Sequence, residues 1–104
     1  MTVQFNTDKN LKSNEAHQAY FSSQIKEALE RFDAHITRVE VHLKDENGKK
    51  AGVNDKSCVL EARLKGMQPV AVTNTANDMR SAVTGALSKM KTLVGSKIDR
   101  LQAH

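Results

Sequence analysis

An α+β fold with the order β-α-β-β-β-α is what this chain predicts, as a four-stranded sheet with two helices packed on one face. Three observations carry the prediction. Segments 36–43 and 58–65 alternate apolar and polar residues with the two-residue period of half-buried strands. Two longer segments, 15–32 and 79–101, repeat apolar residues at steps of three and four, which makes one apolar stripe on each helix. Two hairpin-type connections join the last three strands, so these strands form an antiparallel meander. At 104 residues, the length suits one domain over 1–104 with one modest core, a sheet under a layer of helix.

Val3 and Phe5 alternate with Thr2, Gln4 and Asn6, so a short first strand has one apolar face. Residues 8–14 are polar and turn-like. Ser13 or Asn14 can cap the helix that follows, with Glu15 favourable in its first turn. That helix is expected from about Glu15 to Phe32, with Phe21, Ile25, Ala28, Leu29 and Phe32 as its stripe. In the second strand Val39, Val41 and Leu43 face inward, and Arg38, Glu40 and His42 face water. A charged loop, 45–56, contains the breakers Gly48 and Gly52. Cys58, Leu60, Ala62 and Leu64 are the inward side of the third strand, against Val59, Glu61, Arg63 and Lys65. Gly66-Met67-Gln68-Pro69 is a tight connection to a fourth strand over 70–73. The closing helix takes its stripe from Met79, Val83, Ala86, Leu87, Met90, Val94, Ile98 and Leu101, and Gly95 is a point where it would kink or fray.

Composition narrows the function classes. Net charge is +4, without an apolar run long enough to cross a bilayer, so no membrane partner is expected. The N-terminus lacks the basic start and apolar stretch of a secretion signal, and a lone cysteine, Cys58, makes no internal disulfide; both point to the cytosol. Cys58 falls on an inward strand position and reads as a buried thiol. His17, His35, His42 and His104 have no metal-ligand spacing. Asp45-Glu46-Asn47 resembles a fragment of a calcium loop without its remaining ligands. No phosphate loop, paired-acid site or nucleophile triad stands out, so no enzyme, cofactor, metal or small-molecule substrate is expected.

The positive charge is uneven. Residues 77–104 hold five Lys/Arg against two Asp, whereas residues 1–37 hold four basic and five acidic residues. A cationic helix on a small domain favours a polyanionic partner, RNA or DNA. Lys89, Lys91, Lys97 and Arg100, with Arg80 toward the other end, are the candidate phosphate contacts. The bland reading of the same residues is a solvated helix face with cations favoured near its C-terminus. Arg63 and Lys65, with Arg38, could make a second phosphate surface on the sheet, although the interleaved Glu40 and Glu61 suggest cross-strand ion pairs instead. Lys49, Lys50 and Lys56 fit a solvated loop. Phe5, Phe21 and Phe32 lie on apolar stripes and read as core, which disfavours a sheet that stacks single-stranded bases.

The ordered set of Val3-Gln4-Phe5-Asn6, Leu29-Glu30-Arg31-Phe32-Asp33, the strand 36–43, Leu60-Glu61-Ala62-Arg63-Leu64, and Asp78-Met79 followed by Ala82-Val83 and Leu87-Ser88-Lys89-Met90 resembles the ribosome hibernation-promoting factors. This family includes the short ribosome-associated inhibitors of translation, and the likeness spans essentially the whole chain. The resemblance implies a protein on the small ribosomal subunit, in the mRNA–tRNA channel, touching its rRNA through basic helical surfaces and blocking translation. It places Lys89 at a basic position of the family's last helix. Lys91 lies beside another, where Thr92 is the aligned residue, and Lys97 and Arg100 fall in a Lys-rich region. Arg80 stands where an aromatic residue often follows Asp-Met, and the 45–56 loop is longer than usual. The chain stops soon after the helix, so no self-dimerisation domain is expected. A protein-interaction module on the same fold, using a free sheet edge, and a binder of free double-stranded RNA remain as alternatives.

Overall fold

A computed structural model describes residues 1–7, 15–45 and 56–102. In chain order it contains β1 (Thr2–Thr7), α1 (Glu15–Ala28), a 3-10 turn (Glu30–Phe32), β2 (Ile36–Asp45), β3 (Lys56–Leu64), β4 (Val70–Ala76) and α2 (Met79–Gln102). The strands form one sheet in the order β1-β2-β3-β4, so the expected α+β architecture is the one observed. The meander β2-β3-β4 is antiparallel. β1 lies parallel to β2, the pairing that a helical crossover such as α1 permits.

One core lies between the sheet and both helices. Val39, Val41, Leu60 and Ala62 from the central strands meet Ile25 and Leu29 from α1 and its end, and Val83, Met90 and Val94 from α2; all are fully buried. Phe21 and Phe32 are buried and Phe5 packs on the core, as their stripes require. Cys58 is buried too, and burial pushes its thiol up to about 12, so at neutral pH it is no nucleophile.

Four expected boundaries differ. The first α-helix stops at Ala28 rather than Phe32, because the chain tightens: the amides of Phe32 and Asp33 donate to the carbonyls of Leu29 and Glu30 at 2.9 and 3.0 Å. This tighter turn still buries Phe32. β4 continues three residues beyond Thr73, since Asn74, Thr75 and Ala76 pair with Cys58, Ser57 and Lys56 whatever their weak strand preference. Asp45 and Lys56, assigned to the loop, are instead paired ends of β2 and β3. Leu101, assigned to the core stripe, is 50% exposed, because cover over that stripe ends after Ile98. The proposed caps Ser13 and Asn14, and the loop residues Lys49 and Lys50, lie outside the described residues.

β2 also contains a feature that strict alternation conceals. Ile36 pairs with Leu64 and Arg38 with Arg63, leaving Thr37 as an extra residue whose Oγ1 donates to the Arg63 carbonyl at 3.1 Å. This bulge lets Ile36 and Val39 both face inward although they are three residues apart.

α2 runs unbroken through Gly95, so the expected fraying point is continuous helix. A Cβ built on Gly95 would meet Phe32 Cζ at 3.5 Å, an ordinary contact distance. Gly95→Ala is therefore expected to stabilise the fold by about 0.5–1 kcal/mol, the helix-propensity difference. A urea midpoint that rises with an unchanged slope would confirm it; a fall would show that the methyl group is not accommodated.

Candidate nucleic-acid interface

The α2 cations do not share one face. At 3.6 residues per turn, Lys89 and Lys91 point about 160° apart. Lys89 turns to the sheet edge, where its Nζ donates to the Thr73 carbonyl at 2.8 Å. Part of its hydrogen-bonding capacity is thus taken up by β4, an edge strand of the sheet. Lys97 is half-buried and follows Met90 and Val94 in the phase of the apolar stripe, where its stem can pack while its ammonium reaches water.

Lys91 and Arg100 are about half a turn and about 13 Å apart on α2, yet both border one shallow notch with a residue that the sequence reading passed over. That residue, Arg31, projects from the 3-10 turn. The floor of the notch is Thr92, Gly95 and Ser96, and Asp99 is the acidic member. Arg31 is held by its own neighbour: its guanidinium lies over the Phe32 ring, 4.7 Å from the centroid. Phe32 is fixed in the core, so the cation is posted at the helix surface. In sequence Arg31 is simply an off-stripe residue, and only the closing of the 3-10 turn against α2 brings it there. Three cations around a surface with small side chains form an arrangement that can seat a phosphate backbone without reading bases.

Arg80 lies apart from this notch, about 30 Å from Arg100 along the helix. Its guanidinium sits over the Tyr20 ring of α1, 5.4 Å from the centroid. α2 begins on Asp78, whose carboxylate accepts from the Ser81 amide at 2.8 Å and the Ser81 hydroxyl at 3.0 Å, an N-cap.

Arg63 and Lys65 belong to a different surface. Arg63 lies on the uncovered face of the sheet, the side away from both helices, and Lys65 is exposed in the turn that follows β3. Register explains the ion pairing there. Arg38 is directly opposite Arg63, and Glu40 directly opposite Glu61, each a like-charge pair. The attraction therefore runs diagonally and along the strands. Arg63 reaches Glu40 at 3.2 Å and Glu61 at 3.5 Å, while Arg38 reaches Glu40 at 3.3 Å. Asn6 of β1 also donates to Glu40, at 3.4 Å. Arg63 is thus held by two carboxylates, which weakens it as a phosphate contact.

Two carboxylates make the fold sensitive to acid. The hydrogen bond from Arg63 holds Glu40 below the usual carboxylate range, with the charges of Arg38 and Arg63 adding to it. The Ser81 amide, then the Ser81 hydroxyl, hold Asp78 low. A carboxyl with a lowered folded pKa adds stability at neutral pH that is lost as pH falls through that pKa. Thermal melts should therefore show stability falling below about pH 5. Asp78→Asn with Glu40→Gln should flatten part of that fall; an unchanged slope would remove both groups from the explanation.

Among the described residues no helix is long and apolar enough to cross a membrane, and no group of three His, Cys, Asp or Glu is placed to share a metal ion.

A family model described as Sigma 54 modulation protein / S30EA ribosomal protein matches residues 6–102. The fold is similar to that of the N-terminal domain of Protein Y from Thermus thermophilus, at TM-score 0.72 and 19% identity over 90% of this chain and 96% of that one. It is also similar to a ribosomal subunit interface protein from Coxiella burnetii, at TM-score 0.68 and 15% identity over 95% of this chain and 99% of that one. No curated protein sequence matches.

Proposed function

Because the chain belongs to the Sigma 54 modulation protein / S30EA ribosomal protein family, we propose that it binds the small ribosomal subunit in the mRNA–tRNA channel and holds translation off by steric exclusion. The family is one of ribosome-associated modulation factors, which are not enzymes. The observation that carries the finer reading is the notch of Arg31, Lys91 and Arg100, three cations from two elements around a surface of small residues. A flexible polyanion such as rRNA can lay its phosphates there, with shape rather than base sequence deciding the fit. Lys89 and Lys97 extend the positive field along the flanks of α2. Arg80, Arg63 and Lys65 lie outside the notch and contribute less phosphate contact. The similar fold from Coxiella burnetii, described as a ribosomal subunit interface protein, accords with this placement. The proposed site of action is the cytoplasm.

Sedimentation of purified ribosomes with the protein tests the reading. Co-migration with small subunits and whole ribosomes at low salt, weakened at moderate salt, is the expected result. Protein left at the top of the gradient at low salt would reject it. Binding that ignores salt would point instead to an apolar protein interface.

A further inference from the structure

We propose that Tyr20 and Arg80 form a stacking platform for an unpaired RNA base, separate from the phosphate-binding notch. The proposal rests on the ribosome-binding reading and adds to it a second kind of contact, planar rather than ionic.

Tyr20 is 40% exposed, one of two large apolar or aromatic side chains standing open among the described residues. Its ring is nevertheless braced. The Phe21 ring meets it edge-on, with centroids 5.3 Å apart and planes at 60°, and Phe21 is itself buried in the core. The Arg80 guanidinium lies over the ring from α2. A guanidinium placed over an aromatic ring offers a surface beside which a base can stack, with its N–H groups still able to reach base acceptors.

Local charge favours a base over a phosphate here. The Asp78 carboxylate, bonded to the Ser81 amide and hydroxyl at the start of α2, lies two residues from Arg80 and carries the opposite charge. The Arg80 charge is thus partly balanced, and a phosphate approaching this end of α2 would also meet an anion. Stacking survives such balance, because every base has a π-face.

The placement also fits one continuous track. Arg80 and Lys91 are eleven residues apart, which is about 16 Å along α2 and within about 20° of the same side. A single strand with phosphates on Lys91 could therefore set an unpaired base on Tyr20 and Arg80.

The chain has one tyrosine and no tryptophan, so its tyrosine fluorescence reports Tyr20 alone. The first experiment titrates the protein at low salt with a short oligoadenylate and with an abasic ribose–phosphate chain of equal length and charge. Quenching by the first and not by the second is expected. No quenching, or equal quenching by both, would overturn the platform. The second experiment measures ribosome binding by Arg80→Lys, which keeps the charge and loses the plane, and by Tyr20→Leu. Each should weaken binding about 5- to 150-fold with the salt slope unchanged. Wild-type affinity for Arg80→Lys, with a reduced salt slope for Arg80→Ala, would make Arg80 a phosphate contact and overturn the proposal. The two readings fail separately. Wild-type protein that ignores ribosomes rejects the channel reading, whereas intact ribosome binding without base-dependent quenching rejects only the platform.

Discussion

Replacing Gly85 by alanine is expected to destabilise the protein by about 1–3 kcal/mol, although the same change in an exposed helix is favourable by up to about 1 kcal/mol. The cause is Asn74. This half-buried side chain reaches from β4 under the first turns of α2, where its Nδ2 donates to the carbonyls of Ser81 and Ala82 at 3.4 and 3.2 Å. A Cβ on Gly85 would overlap that Nδ2 and lie 2.6 Å from the amide carbon. Either the amide leaves and its hydrogen bonds are lost, or the helix lifts off the sheet. At about 4–8 °C per kcal/mol for a domain of this size, the loss is readily seen in a melt. The pair should also be strongly non-additive. In an Asn74→Ala background the obstacle is gone, and Gly85→Ala should become neutral or stabilising. A single Gly85→Ala variant as stable as wild type would mean that the amide swings away at no cost. Gly95→Ala, ten residues on in the same helix, is expected to act in the opposite direction, as helix propensity alone predicts, so the cost at Gly85 comes from the Asn74 contact and not from the helix.

Reversing two charges of the notch, Lys91→Glu with Arg100→Glu, is expected to weaken ribosome binding and to give the largest change in its salt dependence. If each cation neutralises one rRNA phosphate, the double variant should lower the dependence of log affinity on log salt by about two. Affinity should fall by more than about tenfold at low salt, because two attractions become repulsions. Lys89→Met provides the internal control. Its ammonium is bonded to the Thr73 carbonyl, so its removal should change the salt slope less. Both residues are exposed on α2 and outside the core, so the reversals should leave the melting transition near that of the parent. An unchanged salt slope in the double variant would remove the notch from the interface. A larger change from Lys89→Met would move the phosphate track to the β4 side of the helix.

The two helical stripes and the alternation of β2 and β3 were legible in the sequence because burial imposes a period on any element with one covered face. That was enough to place Val39, Val41, Leu60, Val83, Met90 and Val94 inside, to put Arg38, Glu40, Glu61 and Arg63 on the water side, and to assemble the order β-α-β-β-β-α. The uneven charge, concentrated after residue 77, was equally plain. Element ends were less legible. The backbone hydrogen bonds that stop α1 at Ala28 and carry β4 to Ala76 depend on partners that are distant in the chain or on a local tightening that leaves no side-chain signature. The Thr37 bulge and the opposition of like charges across β2 and β3 are facts of register, and the alternation of side chains is the same for every even shift of it.

By itself, the sequence determined which residues are apolar on which face, and therefore the architecture, the buried thiol of Cys58 and the basic character of α2. Only the tertiary structure decided which cations act together. Lys89 and Lys91 are close in sequence yet diverge around the helix; Arg31 and Arg100 are 69 residues apart yet line the same notch. Tyr20 and Arg80 meet only because α1 and α2 lie side by side on the sheet. The physical reason is that burial acts through each residue's own transfer from water and so is written locally. A charged or stacking surface is a sum over side chains that the packing of separate elements brings within reach.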